Sequence, residues 1–332
     1  MKQALLLMLA LCGAAHAETL FEYGRQCAEQ VTEIPAFNCM AGEEIPITLN
    51  GRPVPPGTAP PSCDRPSLLP QTNAAGQPAQ CVTGTRALVL RDDKTAQISA
   101  ICRKKEPRPP ASPLFDEINV VSHNLKNGKT CWFTAKRPGN QPIDGRWVPS
   151  PSALTRKATP ASPDGVTAKA AESVWLTPHQ LVTQEPACIR CHDSGPFMYS
   201  PYIAQTTKLP GDPFGFYEPK AIGEDIKRAW ASLNAFGITT RGNTCTACHR
   251  MGNMNSCQVA MQQSTGRAEQ PGGDEWSKQF PQSHWMSPGN LHSKAQWDEQ
   301  FADSLKRLAA CCENPQGAGC KVVAYGVKGA KR

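Results

Sequence analysis

The chain has no apolar run long enough to cross a bilayer. Its longest, Ala4 to Leu11, falls far short of the roughly 20 residues a spanning helix needs. Uninterrupted helix-forming stretches are also scarce, because 31 Pro and 26 Gly punctuate the 332 residues. That composition argues for many loops and short elements. Charge of one sign is not in excess either: 35 Lys and Arg stand against 28 Asp and Glu. Basic residues cluster only at Arg103-Lys104-Lys105 and in the tail from Lys321 to Arg332. Both clusters read as solvated segments, and nothing in the chain points to nucleic acid.

What the chain does have is cysteine, 15 in all. Four of them lie in two copies of Cys-x-x-Cys-His, Cys188-Ile-Arg-Cys191-His192 and Cys245-Thr-Ala-Cys248-His249. Chance placement at this composition gives about 0.01 such matches. A thioredoxin-like redox pair or a zinc knuckle uses Cys-x-x-Cys, but neither accounts for a His directly after both pairs. Covalent haem attachment does. Two thiols add across the vinyl groups, and the adjacent imidazole reaches the iron. The expected cofactors are therefore two haem c groups. Cys188, Cys191, Cys245 and Cys248 would be the thioether residues, with His192 and His249 as axial ligands.

The beginning of the chain agrees with that chemistry. Met1 to Ala17 reads as Lys2, an apolar run and a small-residue stretch ending Ala15-His16-Ala17. This pattern predicts a cleavable secretory signal over 1–17 and a mature chain from Glu18. Cleavage before Cys12 with lipidation of that thiol is the second reading, disfavoured by the bulky Leu11. Beyond the signal and the haem motifs ten cysteines remain: Cys27, Cys39, Cys63, Cys81, Cys102, Cys131, Cys257, Cys311, Cys312 and Cys320. An even remainder in an exported chain predicts up to five disulfides in two stapled regions, and an oxidising location. Short sequential loops predict Cys27–Cys39, Cys63–Cys81 and Cys102–Cys131. Adjacent Cys311 and Cys312 would pair together only in a strained ring, so Cys257 and Cys320 are their expected partners.

Patterning divides the chain into an α+β protein. Residues 18–137 form an expected Cys-rich β domain. Its strands fall at Arg86–Leu90, Gln97–Cys102, Ile118–His123 and Thr130–Ala135, the last two joined by a turn at Asn127-Gly128. Residues 138–172, rich in Pro, Ala, Ser and Lys, read as a surface connection or linker. Residues 173–332 change to short helices, with a start at Thr177-Pro178 and an apolar stripe over Gly223 to Phe236. A capped helix is expected from Ser293 to Ala310.

The 173–332 segment resembles bacterial periplasmic dihaem c-type cytochromes at its attachment motifs, its loop-rich middle and its C-terminal helix. The resemblance implies a mainly α dihaem domain, and the 57-residue spacing of the motifs implies haems sharing one compact fold. It also implies electron transfer between redox partner proteins, the basic clusters being a docking patch if that partner is acidic. A dihaem peroxidase or oxidase with one open iron is the alternative. Trp285-Met286-Ser287-Pro288-Gly289 resembles the loop that presents a thioether to iron in small cytochromes c, so Met286 is the expected distal ligand of the second haem. His123 is the candidate for the first, provided the β domain docks on it. His284 rivals Met286, while His179 and His292 read as solvent-facing. Met198 sits too near His192 to cross the ring, and Met251 and Met254 read as packing residues.

Overall fold

A computed structural model describes residues 17–67, 73, 75–76, 79–153, 171–184, 188–198, 200, 202–206, 210, 217, 222–231, 233–248, 250–257 and 294–324. These residues are mixed α and β. Helix α1 (Leu20–Gln30) opens with a capping box, Thr19 and Glu22 each satisfying the other's backbone nitrogen. A five-stranded antiparallel meander follows: β1 (Glu43–Glu44), β2 (Arg86–Asp92), β3 (Ala96–Arg103), β4 (Glu117–Asn124) and β5 (Thr130–Ala135), in that spatial order. The β4–β5 turn closes on Gly128 at φ 77°, a left-handed conformation that explains the Asn-Gly pair.

The two faces of this sheet differ sharply. Leu88, Ile98, Ala100, Cys102, Ile118, Val120, Cys131, Phe133 and Ala135 share one apolar face. Helix α1 covers it: Tyr23 lies 4.9 Å from the Phe133 ring, and Cys27 is bonded to Cys131. The outer edge of β5 is also covered. The Tyr23 hydroxyl both donates to Trp132 O and accepts from Trp132 N, at 3.2 Å each, and Leu176 N donates to Thr134 O. An edge strand capped in this way offers no unpaired ladder to another chain.

The second face carries Gln97, Ser99, Arg103, Glu117, Asn119, His123, Thr130, Trp132 and Thr134. Alternation alone would turn such a face to water. It is covered instead by the C-terminal half. Tyr202 and Ile203 pack with Ala87 and Ile101, and Trp230 stacks edge-on against Trp132 at 4.9 Å. One apolar cluster therefore runs from Leu20 through Trp132 to Leu181, Ile189, Ile226 and Trp230. The connecting segment is less superficial than expected: Ile143, Val148 and Ser152 are buried, and Val148 bridges to Phe37. Its later part, 154–170, lies outside the described residues.

Beyond it come α2 (Pro178–Gln184), α3 (Cys188–Cys191), α4 (Glu224–Ala231) and β6 (Gly237–Thr240). They are followed by α5 (Thr244–Cys248), β7 (Met251–Gly252), α6 (Lys294–Glu313) and β8 (Cys320–Val323). Strand β6 is central in a small antiparallel sheet between β7 and β8. No helix among the described residues is long and apolar enough to cross a membrane.

All ten expected cysteines form disulfides, in two regions as predicted, but two pairings differ. Cys63–Cys81, Cys257–Cys312 and Cys311–Cys320 are as expected, whereas Cys27 joins Cys131 and Cys39 joins Cys102. The reason is facial. Leu20, Tyr23, Gly24 and Cys27 form the buried stripe of α1, so the Cys27 thiol points at the sheet and not along the chain toward Cys39. The bonds that result close sequence separations of 104 and 63 residues, removing more denatured-state freedom than short loops would.

Candidate functional site

Thr177 caps α2 as expected, its hydroxyl accepting from Gln180 N at 3.3 Å while Gln180 Oε1 accepts from Thr177 N. The single turn α3 then carries the first motif, and His192 N donates to Cys188 O at 2.9 Å, extending the turn. Spacings of three and four residues place Cys188, Cys191 and His192 on one side of it. Cys188, Cys191 and Cys245 stay outside the disulfides that take the other ten. Burial pushes the Cys191 thiol up, opposed by Asn255 Nδ2, which donates to Sγ at 3.1 Å. Burial raises the Cys245 thiol as well.

His192 has a defined tautomer. Its Nδ1 sits 2.9 Å from Pro196 O, which can only accept, so Nδ1 carries the proton and Nε2 the lone pair. Burial, with the nearby Arg103 charge, lowers its basicity to a pKa of about 4, so the imidazole is neutral. A neutral imidazole oriented through the other nitrogen is the form that binds a metal.

His123 is also held at Nδ1. It is 2 % exposed on β4, with Nδ1 2.8 Å from Thr130 Oγ1. The Thr130 hydroxyl also lies 3.3 Å from Gly128 O, so this one side chain ties the His123 ring to the β4–β5 turn. His123 and His192 border one aromatic set. The His123 ring meets Phe197 and Tyr217 edge-on, at 6.3 and 6.2 Å. Tyr217 donates its hydroxyl to His192 O at 2.5 Å, and Trp132 lies 6.0 Å from the His192 ring. The sheet thus lies against the first motif, with Trp132 and His123 on the face turned to it. His179 is exposed, Met254 is buried in the main core, and Met198 and Met251 pack beside smaller clusters.

The second motif lies on α5, whose start is capped by Asn243 Oδ1, accepting from Cys245 N and Thr246 N. Asn243 Nδ2 donates to Ser304 O, and Ser304 Oγ accepts from Thr244 N, which ties α5 to α6. The backbone of Cys248 is described. His249, Met286, His284, His292 and the Ser293 cap lie outside the described residues.

Asp193 joins the two motifs. Its buried carboxylate accepts from Met254 N at 2.8 Å, Ser256 N at 3.2 Å and Ser256 Oγ at 2.6 Å. Gly252 lies against the carbonyl and carboxylate of Asp193, leaving no room for a Cβ. Arg250, next to His249 in sequence, stacks over Tyr217 at 5.9 Å. Segments that directly follow each motif are thus in contact.

Among the described residues no three His, Cys, Asp or Glu side chains converge on a bare-ion site. The residues around the first motif fit the expected haem in these respects: thiols outside the disulfides beside a ligand-ready imidazole, and two buried N–H donors, Trp132 Nε1 and Arg103 Nε, that have no protein partner. Sequence reasoning missed Trp132, Tyr217 and Asp193. The aromatic at the centre of a polar-alternating face was the one available signal for Trp132. Comparison of the chain with protein-family models, with curated proteins and with solved structures finds no match.

Proposed function

We propose that the protein is an exported dihaem c-type cytochrome that relays electrons between redox partner proteins. The observation that carries this reading is the pairing of Cys188, Cys191 and a neutral His192 whose Nε2 holds the lone pair. Each haem, when bound, supplies an iron that cycles between ferric and ferrous. The chain's own residues attach it, orient it and exclude water. Cys188 and Cys191 would hold the first group and Cys245 and Cys248 the second, with His192 and His249 as proximal ligands. His123, buried on the sheet and packed against the same Tyr217 that bonds His192 O, would be the second ligand of the first iron. Met286 is the proposed distal ligand of the second iron. Closed positions on both irons favour electron transfer over small-molecule activation. Contact between the segments after the two motifs supports close haems, and five disulfides suit an oxidising compartment.

The test is the mass of protein made in a cell able to mature c-type haem. The expected value exceeds the polypeptide by two haems, and the pigment stays on the chain through acidified acetone. One haem or none overturns the reading. Stoichiometric carbon monoxide binding by the reduced wild type, with peroxide turnover at enzyme rates, would transfer the conclusion to a dihaem peroxidase.

A further inference from the structure

The second face of the five-stranded sheet is buried and polar, and two of its donors are left over. Arg103 is 9 % exposed; its NH1 reaches Glu117 Oε1 at 3.5 Å, and its Nε has no partner. Trp132, 3 % exposed, has no partner for its indole N–H. A buried donor left unmade costs about 1–3 kcal/mol, more when charged. Packing explains neither case, since the contact of Trp132 with Trp230 uses the ring and not the N–H.

Charge on this face is also unbalanced. Among the described ion pairs of this face, Arg103 and Lys105 share the one carboxylate of Glu117, two cations to one anion. Water could serve a neutral indole but would not neutralise a cation. Trp132 lies 6.0 Å from the His192 ring, and Arg103 stands on the same face of the sheet.

We propose that Arg103 and Trp132 form a carboxylate-holding pair on the sheet, which takes the propionates of the prosthetic group attached at Cys188 and Cys191. This rests on the haem reading above. The N-terminal half then becomes one wall of the first haem site, and its sheet helps set that haem's potential. A fixed positive charge beside the propionates offsets their negative charge and favours ferrous iron.

The experiment uses the full holoprotein with Arg103→Gln, Arg103→Lys and Trp132→Phe. Arg25→Gln, on the exposed side of α1, is the control for net charge. Two readouts are needed: the midpoint potential of each haem, and the propionate bending modes in the resonance Raman spectrum. Arg103→Gln should lower one potential by about tenfold in the one-electron equilibrium, about 59 mV, and shift the propionate modes. Arg103→Lys should restore part of the potential. Trp132→Phe should shift the same modes with a smaller change in potential, and Arg25→Gln should change neither. Where Arg103→Gln fails to accumulate as holoprotein, Arg103→Lys and Trp132→Phe carry the test. Unaltered propionate modes in the variants, in protein shown by mass to hold two haems, overturn the inference alone. Absence of haem from the wild type overturns the parent reading and this one with it.

Discussion

At the scale of single residues, hydrogen-bond partners decide what an imidazole can do. His192 faces a carbonyl, so its Nδ1 carries the proton, while His123 is held at Nδ1 by the Thr130 hydroxyl. On the dihaem proposal, His123→Ala should open one coordination position. Reduced variant should bind one equivalent of carbon monoxide more than wild type, with a changed visible spectrum at one haem. Unchanged spectra would make His123 a core histidine and nothing more. Glu117 allows a pH prediction with a definite sign. Burial alone would raise its pKa, but Arg103, Lys105 and Asn119 hold it down to about 2. A carboxyl more acidic in the fold than its usual 4.5 contributes stability that is full above that value and lost as pH falls toward 2. Denaturant midpoints measured from pH 5 to 2 should fall steadily for wild type. Glu117→Gln should flatten that slope by up to roughly 3 kcal/mol. Parallel slopes would remove Glu117 from the account of acid sensitivity.

At the scale of elements, short pieces are held by side chains that reach between them. Asp193 clasps the loop after the second motif through three donors, so Asp193→Ala strands two backbone amides and a hydroxyl. A loss of about 2–3 kcal/mol is expected, with faster hydrogen exchange at the amides of Met254 and Ser256. Exchange at wild-type rates would mean that the contact is incidental. Helix α4 carries Glu224 and Asp225 at its positive end, and Asp225 Oδ2 also accepts from Glu18 N at 3.1 Å. Cleavage at the expected Ala17–Glu18 bond would turn that nitrogen into an ammonium facing a buried carboxylate. If the chain is exported as proposed, N-terminal sequencing of the mature protein should begin at Glu18, and Asp225→Asn should lower its unfolding midpoint. A start elsewhere in the chain would sink the pairing.

At the scale of the molecule, the two halves share a core. Trp132 from the sheet, Trp230 from α4 and Ile189 from α3 belong to one buried cluster. Thermal unfolding followed by tryptophan fluorescence and by far-ultraviolet circular dichroism should therefore give coincident single transitions. Two separated transitions would show instead that the halves are stable independently.

Local features were legible from the sequence alone. The Cys-x-x-Cys-His spacing sets its residues on one turn, and Cys188, Cys191 and His192 do share the turn of α3. Thr130–Ala135 was located to the residue, since β alternation and the Asn127-Gly128 turn are short-range signals. The Thr177 cap was readable for the same reason. What sequence could not decide is which surfaces meet. Gln97, Ser99 and Thr134 alternate with apolar residues, a pattern shared by every sheet with one wet face, yet the rest of the chain covers them. Cys27 and Cys131 pair across 104 residues because α1 turns one stripe to the sheet, a fact of packing that no spacing rule contains. Composition and motif determined which cysteine and histidine side chains stand together along the chain. Burial of a polar face against the first motif, settled only when distant segments packed, decided which residues surround them.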